Sequence, residues 1–393
     1  MLHVLYLVHD LSDPAVRRRV DMLQAGGANV TLAGFRRADK PADGLDASSP
    51  IDLGQTHDGK FAQRLGAVGK AALVLGARLR GVRRPDVIIG RNLEMLALAR
   101  RARSMFGGDM PVVYECLDIH RLLLGNGGVS RAMRAAERML GGEASLLMTS
   151  SPAFVRDYFQ RFSQIDAPVA LLQNKVLELH RRPGTAGNGA AAALPVPGEP
   201  WVIGWFGALR CRKSLELLAA FTRQAEGRFK VVLRGRPAYT EFADFDGFVA
   251  AEPHMRFEGA YRNPEDLAAI YGEVHFAWAI DFFEEGLNSS WLLPNRLYEG
   301  CLHGAVPIAM ADTETGRFLA ERHMGLRLEE PSVEALATLL GAIDVESFGA
   351  MRDRIATEDR GTWVCDQRDC LALVERLKGL TARIEPAGML QTA

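Results

Sequence analysis

The sequence is short of the motifs that mark several large classes of enzyme and binding protein. Its five cysteines stand far apart, without Cys-x-x-Cys or Cys/His spacing, which indicates neither a disulfide framework nor a structural zinc site. No Gly-x-Gly-x-x-Gly follows the first apolar run, so a nicotinamide cofactor is disfavoured. No apolar run reaches the ~18 residues of a membrane-spanning helix, and the N-terminus MLHVLYLVHD lacks the basic start of a signal peptide. These absences favour a cytoplasmic protein with reduced thiols.

Charge is nearly balanced overall but is distributed unevenly. The net charge is −1, which gives no reason to expect nucleic-acid binding. Residues 1–172 nevertheless carry 23 Lys and Arg against 17 Asp and Glu, whereas the remainder carries 24 against 31. Within the basic part, residues 60–84 mix seven cations with apolar side chains and contain no acid. This pattern is typical either of a helix on an anionic membrane surface or of a crossover helix with a solvated face, and the sequence leaves both open.

Apolar strands alternate with helical segments along the chain. The run His3–Val8 is followed by a loop, by a helix that Asp13 can cap and by a second strand that starts at Asn29. This order, with continuously apolar strands, predicts parallel sheets buried on both faces. The Gly-, Ala- and Pro-rich stretch 181–200 lacks apolar periodicity and predicts a linker. The predicted fold class is therefore α/β with two Rossmann-like domains, 1–180 and 201–364.

Two segments of the second half combine cations with the start of a helix. In GWFGALRCRKSLELL, the loop after a predicted strand carries Arg210, Arg212 and Lys213. Ligands of open α/β sheets bind at such strand ends, so three cations there indicate an anion site. In LPNRLYEGCLHG, a helix places Arg296 and Glu299 on neighbouring faces, and its free N–H groups suit a phosphate. A carboxylate suits vicinal hydroxyls, and a diphosphate with a ribose is what a sugar nucleotide offers.

The segment LPNRLYEGCLHGAVPIA resembles the donor-binding segment of GT-B glycosyltransferases, in particular the family 4 (group 1) type found in exopolysaccharide biosynthesis. There, a basic residue followed by x-x-Glu lies on a helix closed by Gly-x-Pro-hydrophobic. The stretch GALRCRK is similar to the family's Gly-x-Leu-x-x-x-Lys loop. Two departures stand out: Trp291 occupies the position of the first Glu in the family's Glu-x7-Glu pair, and Ala208 the position where Arg often follows the Gly.

The resemblance implies a role for each matching residue. Glu299 would bind the ribose, while Arg296, Lys213, Arg210 and Arg212 would bind the donor diphosphate. Groups around the base and the transferred sugar would come from Arg234, Gly235, Tyr261, Arg262, Gly286, Leu287 and Asn288, with the backbone amides of Gly286 and Leu287 as donors. The resemblance also implies an interdomain cleft and a C-terminal helix, within 365–393, that packs back on the N-terminal domain. The donor would be a UDP- or GDP-linked sugar, used without a cofactor and without a metal.

Candidate catalytic groups stand in the N-terminal half. An inverting transferase needs a carboxylate or imidazole as general base on the acceptor hydroxyl. Asp118 and His120 follow the fourth predicted strand, and Asp13 is either a third candidate or simply a helix N-cap. His9 and Asn92 follow other strands, where we expect the acceptor.

These features predict a glycosyltransferase that moves a sugar from a nucleotide-diphosphate sugar to a hydroxyl of a glycan or lipid-linked acceptor in bacterial polysaccharide assembly. The basic first half favours an anionic or membrane-bound acceptor and a peripheral position on the inner face of the cell membrane. Two alternatives stay open. A sugar-nucleotide epimerase would share the fold and the donor site, and a non-catalytic protein that binds sugar nucleotides would account for Trp291 in place of Glu.

Overall fold

The computed structural model describes residues 1–37, 49–56, 61–162, 164–179, 192–196 and 198–382, and the structural statements below concern those residues. The chain folds as two compact units. The first unit comprises Met1–Leu172 and Asp366–Ala393, and the second unit comprises Gln173–Cys365.

The first unit is built on a parallel sheet. Its strands are β1 (His3–Val8), β2 (Asn29–Arg36), β3 (Ile51–Gln55), β4 (Val87–Arg91), β5 (Val112–Cys116), β6 (Ala144–Thr149) and β7 (Val169–Leu171). Its helices up to that point are α1 (Pro14–Ala25), α2 (Phe61–Arg78), α3 (Asn92–Met105), α4 (Arg121–Leu124), α5 (Gly128–Gly141) and the π-helical segment Phe154–Gln160. Within the described ranges the strand order is β3-β2-β1-β4-β5-β6-β7, so the chain starts in the middle and runs to both edges.

The second unit repeats this plan. Its strands are β8 (Val176–Leu177), β9 (Trp201–Leu209), β10 (Phe229–Pro237), β11 (Met255–Phe257), β12 (Phe276–Trp278), β13 (Val306–Met310), β14 (Leu326–Leu328) and β15 (Val364–Cys365). Its helices are α6 (Arg212–Gln224), α7 (Phe245–Ala251), α8 (Leu267–Tyr271), α9 (Asn288–Trp291), α10 (Asn295–Leu302), α11 (Glu314–Glu321), α12 (Val333–Gly341) and α13 (Val345–Thr357). In the described part the main sheet has the parallel order β11-β10-β9-β12-β13-β14, and the central strands are buried on both faces, as the apolar runs predict.

The division between the units falls earlier than residue 180. The short strand β8 pairs in parallel with β15, register Val176 to Val364, and this pairing ties the segment after Leu172 to the second unit. Most of the predicted linker 181–200 lies outside the described residues.

The last helix, α14 (Gln367–Ala382), belongs to the first unit and packs against α1. The two helices approach so closely at Gly26 that a Cβ there would lie 2.3 Å from the carbonyl oxygen of Cys370, which only glycine tolerates. Gln367 Nε2 also donates to the carbonyl of Ala25 (2.5 Å). The end of the chain is therefore held on the domain in which the chain begins.

Candidate functional site

The neighbouring strands β9 and β10 of the second unit end in backbone that only glycine allows. Gly207 and Gly235 are opposite each other in the parallel register and have φ values of +102° and +135°. A Cβ at Gly235 would lie 1.9 Å from the carbonyl oxygen of Gly207. These glycines therefore place the backbone ends of the two strands in direct contact, beside the loop that leads into α6.

The two cations nearest this edge are paired with acids of the loop that follows β12. The Nη2 atom of Arg210 lies 3.1 Å from Asp281, and Lys213 Nζ lies 2.7 and 2.8 Å from the two carboxylate oxygens of Glu285. Each cation also lies over an aromatic ring of that loop, Lys213 over Phe282 at 4.4 Å and Arg210 over Phe283 at 4.7 Å. The predicted phosphate-binding cations are therefore engaged with carboxylates, the protein groups closest to phosphate in charge and shape.

Arg212 is placed differently from its two neighbours. Its side chain is largely exposed and makes an ion pair with Glu216 one turn along α6 (3.4 Å). A surface depression of about 550 Å³ in this region is lined by Arg210, Cys211, Arg212, Lys213, Glu216, Glu241, Phe282 and Phe283. Arg212 thus stands at the edge of the same depression with its charge directed along the helix.

Helix α10 carries the most unusual cation of the second unit. Arg296 is only 9% exposed, and in the described part of the chain it makes no hydrogen bond and no ion pair. Its positive charge acts on the hydroxyls of Tyr261 and Tyr271, which lowers pKa values that burial raises. The nitrogens of Arg296 are not among the fully buried polar atoms that lack a partner, so the guanidinium keeps contact with solvent. A bound anion can reach it there, as the predicted role of Arg296 in binding a diphosphate requires.

Glu299, one turn after Arg296, is held by two side chains. Its carboxylate accepts from Asn263 Nδ2 (2.7 Å) and from the Tyr271 hydroxyl (3.2 Å). Burial and the charge of Glu299 raise the pKa of Tyr271, so that hydroxyl stays protonated and remains a donor. Nothing in the spacing of NPEDL indicates that its first residue, Asn263, reaches α10.

His303 closes the same helix and supports Tyr271 from its other face. The two rings are stacked, with centroids 6.0 Å apart and an angle of 15° between the planes. Burial lowers the pKa of His303 to about 4, so the imidazole is neutral at physiological pH. His303, Tyr271 and Glu299 therefore form one packed row behind the predicted ribose site.

The segment before α10 contains a separate short helix. Asn288 to Trp291 form this helix, α9, and Pro294 is the N-cap of α10. The amides of Gly286 and Leu287, predicted to hold the sugar or phosphate, both donate inside the loop, to Ser290 Oγ (3.0 Å) and to the carbonyl of Glu284 (3.0 Å). Those two amides are therefore occupied, because the loop closes on itself.

The remaining donor-side residues are spread around the same edge. The Tyr261 hydroxyl would lie 3.9 Å from a Cβ at Gly207, which places it at the end of β9. Arg234 is paired with Glu273 (3.1 Å), and Arg262 is exposed and paired with Asp266 (2.9 Å). The buried Asn288 donates to Glu284 (2.8 Å) and so holds the loop.

The strand ends of the first unit contain a closed network of buried charges. Glu115 is fully buried and accepts from Arg19 (2.6 Å) and from the Tyr6 hydroxyl, and Arg91 lies 3.5 Å from the same carboxylate. Arg91 also donates to Asp13 (3.0 Å), whose other oxygen accepts the Ala15 amide as a helix N-cap. Both oxygens of Asp13 are thus committed to structure, which favours its capping role over catalysis.

The other first-unit candidates follow the strands as expected. Asp118 is exposed in the turn after β5, and His120 is the N-cap of α4, where its Nδ1 atom accepts the Leu122 amide (3.2 Å). A neutral His120 therefore carries its proton on Nε2 and would donate to a ligand, so Asp118 is the better candidate for a base. Asn92 has a positive φ of 68° at the start of α3 and lies 3.4 Å from His9 Nδ1.

Among the described residues, no group of three or more His, Cys, Asp or Glu side chains is arranged to hold a metal ion, and independence from metal stays a prediction. Likewise, no helix in the described ranges is long and apolar enough to cross a membrane.

The fold is that of the GT-B proteins, with two Rossmann-like units, and solved structures match it along nearly the whole chain. The sucrose-phosphate synthase of Thermosynechococcus elongatus is similar with a TM-score of 0.72 at 15% identity, over 98% of this chain and 100% of that one. HepE of Anabaena, solved with UDP and glucose, is similar with a TM-score of 0.59 at 14% identity, over 98% of each chain. At these identities the likeness establishes the fold.

A much closer relative defines the family. The succinoglycan biosynthesis protein ExoL of Rhizobium meliloti (strain 1021) is 63% identical over 383 residues, which cover 97% of this chain and 94% of ExoL. The chain therefore belongs to the ExoL family. No protein-family model matches the sequence.

Proposed function

We propose that the protein is a glycosyltransferase of exopolysaccharide assembly that takes its sugar from a nucleotide-diphosphate sugar. One observation carries the proposal: the buried Arg296 has no anionic partner in the described residues and stands one turn from Glu299, a carboxylate held in place by Asn263 and Tyr271. An unpaired cation and an oriented carboxylate at this spacing match a diphosphate followed by a ribose. Membership of the ExoL family supports polysaccharide assembly as the setting.

In the proposed reaction, the acceptor hydroxyl attacks the anomeric carbon of the donor sugar. A carbon–oxygen bond to the acceptor forms, the bond from the anomeric carbon to the diphosphate breaks, and its electron pair leaves with the nucleoside diphosphate. Arg296, Lys213 and Arg210 stabilise the charge on the leaving group, which needs cations more than an acid. Asp118 takes the proton of the acceptor hydroxyl, and His120 donates a hydrogen bond from Nε2 to the bound ligand.

The proposal extends to the donor, the acceptor and the place of action. HepE was solved with UDP and with UDP-glucose, which makes UDP the first nucleotide to test, with GDP second. We propose a glycan or lipid-linked acceptor and a peripheral position on the inner face of the cell membrane. The basic stretch 60–84 supports both, because anionic lipids attract clustered Lys and Arg.

A thermal-shift comparison of UDP, GDP, ADP and CMP tests the donor site. A ligand that binds only the folded state stabilises it by about 2.7 kcal/mol at a hundredfold excess over Kd. We expect one nucleoside diphosphate to raise Tm without added metal and with EDTA present. Glu299→Ala should abolish that shift without unfolding the protein; the Tm of the ligand-free variant should fall somewhat, because Asn263 and the buried Tyr271 hydroxyl lose the carboxylate to which they donate.

A clear outcome against the proposal is a protein that melts at the same temperature with every nucleotide. Transfer and epimerisation are separated by the product. Incubation with the matching sugar nucleotide and a hydroxyl acceptor should release nucleoside diphosphate, whereas an epimerase leaves the diphosphate attached and changes only the sugar.

A further inference from the structure

Helix α5 of the first unit has polar side chains inside and apolar side chains outside. Arg134 and Glu137 are 8% and 0% exposed, whereas Val129 and Met139 are 63% and 71% exposed. A surface helix of a globular protein normally has the opposite arrangement. The helix is therefore inverted, and the cause lies in the contacts of its inner face.

Specific hydrogen bonds fix the inner face. Glu137 accepts from the hydroxyls of Tyr114 (2.8 Å) and Tyr158 (2.5 Å). Arg134 donates to the carbonyls of Leu123 (2.5 Å) and Gly125 (2.8 Å) at the end of α4. If the helix turned to bury its apolar side chains, Glu137 and Arg134 would lose these hydrogen bonds. The tyrosine hydroxyls and the carbonyls that they contact would then be buried without partners, which costs free energy.

The outer face of α5 combines an apolar stripe with a basic edge. Val129, Ala132, Ala136 and Met139 recur at spacings of three and four residues, so they share one side of the helix. Arg131 and Arg138 are exposed beside them, and the helix's one acid, Glu137, is buried on the opposite side. We call this set of six residues the α5 face.

Helix α2 presents a second surface of the same kind on the same side of the sheet. α2 packs against α3, and α3 packs against α5, so the three helices form one layer. On α2, Leu73 is 85% and Val74 is 45% exposed, next to the exposed Lys70 and Arg78. Two acids around this layer are paired with arginines, Asp109 with Arg84 and Glu143 with Arg100 and Arg103. The layer is thus apolar and basic at once.

We propose that the α5 face is a docking surface for an anionic lipid bilayer, with Val129 and Met139 entering the interface and Arg131 and Arg138 bound to lipid phosphates. An exposed apolar stripe edged by arginines is the chemistry that such a surface requires. A second copy of the chain fits less well, because pairing two such faces would bring arginines of both copies together without acids between them. The docking surface belongs to the first unit and the donor-site residues to the second, so it gives the proposed peripheral position a specific contact surface that can be tested apart from nucleotide binding.

Sedimentation with vesicles tests the docking surface. The probes are phosphatidylcholine vesicles with and without phosphatidylglycerol, at low and high salt. We expect the wild-type protein to bind only the vesicles that contain phosphatidylglycerol and to be released by salt. Val129→Asp with Met139→Asp should weaken binding by about tenfold or more, because both residues are exposed and their loss removes apolar insertion without disturbing the core.

Matched controls use exposed apolar residues elsewhere, Val345 on α13 and Leu371 on α14, which are 43% and 45% exposed. Val345→Asp with Leu371→Asp should bind vesicles like the wild type. The nucleotide-induced rise in Tm should survive in both double variants, which separates failure of docking from failure of the donor site. Equal vesicle binding by all proteins would overturn the proposal. So would a wild-type dimer in light scattering that the α5-face variant makes monomeric.

Discussion

The two units of the molecule each bury arginines near the ends of their parallel strands, but they treat the charge differently. In the first unit Arg91 is 4% exposed and is surrounded by Glu115, Asp13 and the Tyr6 hydroxyl. In the second unit Arg296 is 9% exposed and has neither an ion pair nor a hydrogen bond among the described residues. Burial and residue type are the same, so neither distinguishes a structural cation from a ligand-binding one. The missing counterion of Arg296 is what distinguishes it from the structural cation Arg91.

The same contrast separates the two groups of cations within the second unit. Lys213 and Arg210 have carboxylate partners in the loop that follows β12: the pair of Lys213 with Glu285 is exposed, whereas Arg210 is exposed but its partner Asp281 is nearly buried. Exposed pairs are worth about 1 kcal/mol or less, so a diphosphate can replace them. The buried arginine of the first unit is therefore paired within the protein. In the second unit, Lys213 and Arg210 have pairs that a ligand can displace, and Arg296 has no pair among the described residues.

The largest expected effect comes from opening the closed network. Glu115→Ala leaves Arg19 and Arg91 buried without their shared carboxylate, which should destabilise the first unit by about 3–5 kcal/mol. All five tryptophans lie in the second unit, so their fluorescence reports that unit alone, while far-UV circular dichroism reports both. We expect an early loss of dichroism with the fluorescence transition unchanged. A single transition at the wild-type temperature would mean that the network adds no stability.

Arg296→Met should weaken ligand binding rather than lower stability. Removing a buried cation that has no partner should leave the stability of the second unit unchanged or raise it by about 1 kcal/mol. The same change should cost about 2 kcal/mol or more in binding to the matching nucleoside diphosphate, or about 30-fold in Kd. Arg91→Met is the matched control, with an expected loss of stability and no direct loss of nucleotide affinity. If Arg296→Met destabilises the protein as Arg91→Met does, then Arg296 is a structural cation.

Substitution of an acid in the loop after β12 should have a smaller effect on nucleotide affinity, in the opposite direction. Glu285→Gln frees Lys213 from its bidentate partner and should tighten binding of the nucleoside diphosphate by about two- to fivefold, the scale of an exposed ion pair.

Lys213→Ala should weaken binding of the diphosphate more than binding of the nucleoside, whereas Arg212→Ala serves as control because its charge pairs along α6. Titration calorimetry with both ligands measures each difference. Equal losses for nucleoside and diphosphate would remove Lys213 from the phosphate site.

The sequence predicts the repeated strand–helix order because the strands are buried on both faces and are therefore continuously apolar. It also predicts the donor segment, because Arg296 and Glu299 are local to one helix. It does not predict β3, where only Ile51 and Leu53 are apolar and pairing with β2 makes the strand. Asn263 and the pairing of β8 with β15 depend on contacts distant in sequence, which spacing does not encode.

The α5 helix is the sharpest example of that limit. Val129, Ala132, Ala136 and Met139 recur at helical spacing and share one side of α5, and that side faces outward, with Val129 and Met139 63% and 71% exposed. The reason is tertiary: the partners of Glu137 come from β5 and from the segment Phe154–Gln160. Periodicity identifies the stripe, but the buried hydrogen bonds decide which way it points.

The smallest expected effect compares the buried carboxylates of the first unit by pH. Arginines hold the pKa of Glu115 below its ordinary value in spite of burial, so its stabilising contribution is present above the unfolded pKa and is lost as the pH falls through the folded one. Burial raises the pKa of Glu137, which has tyrosine donors, so its contribution is present below the unfolded pKa and is lost as the pH rises through the folded one. Glu137→Gln should therefore change stability little at low pH and remove the decline at higher pH, whereas Glu115→Gln should act most strongly at neutral pH. Denaturant unfolding followed by dichroism at several pH values measures both slopes, and slopes of the same sign would mean that the two carboxylates do not differ as their partners imply.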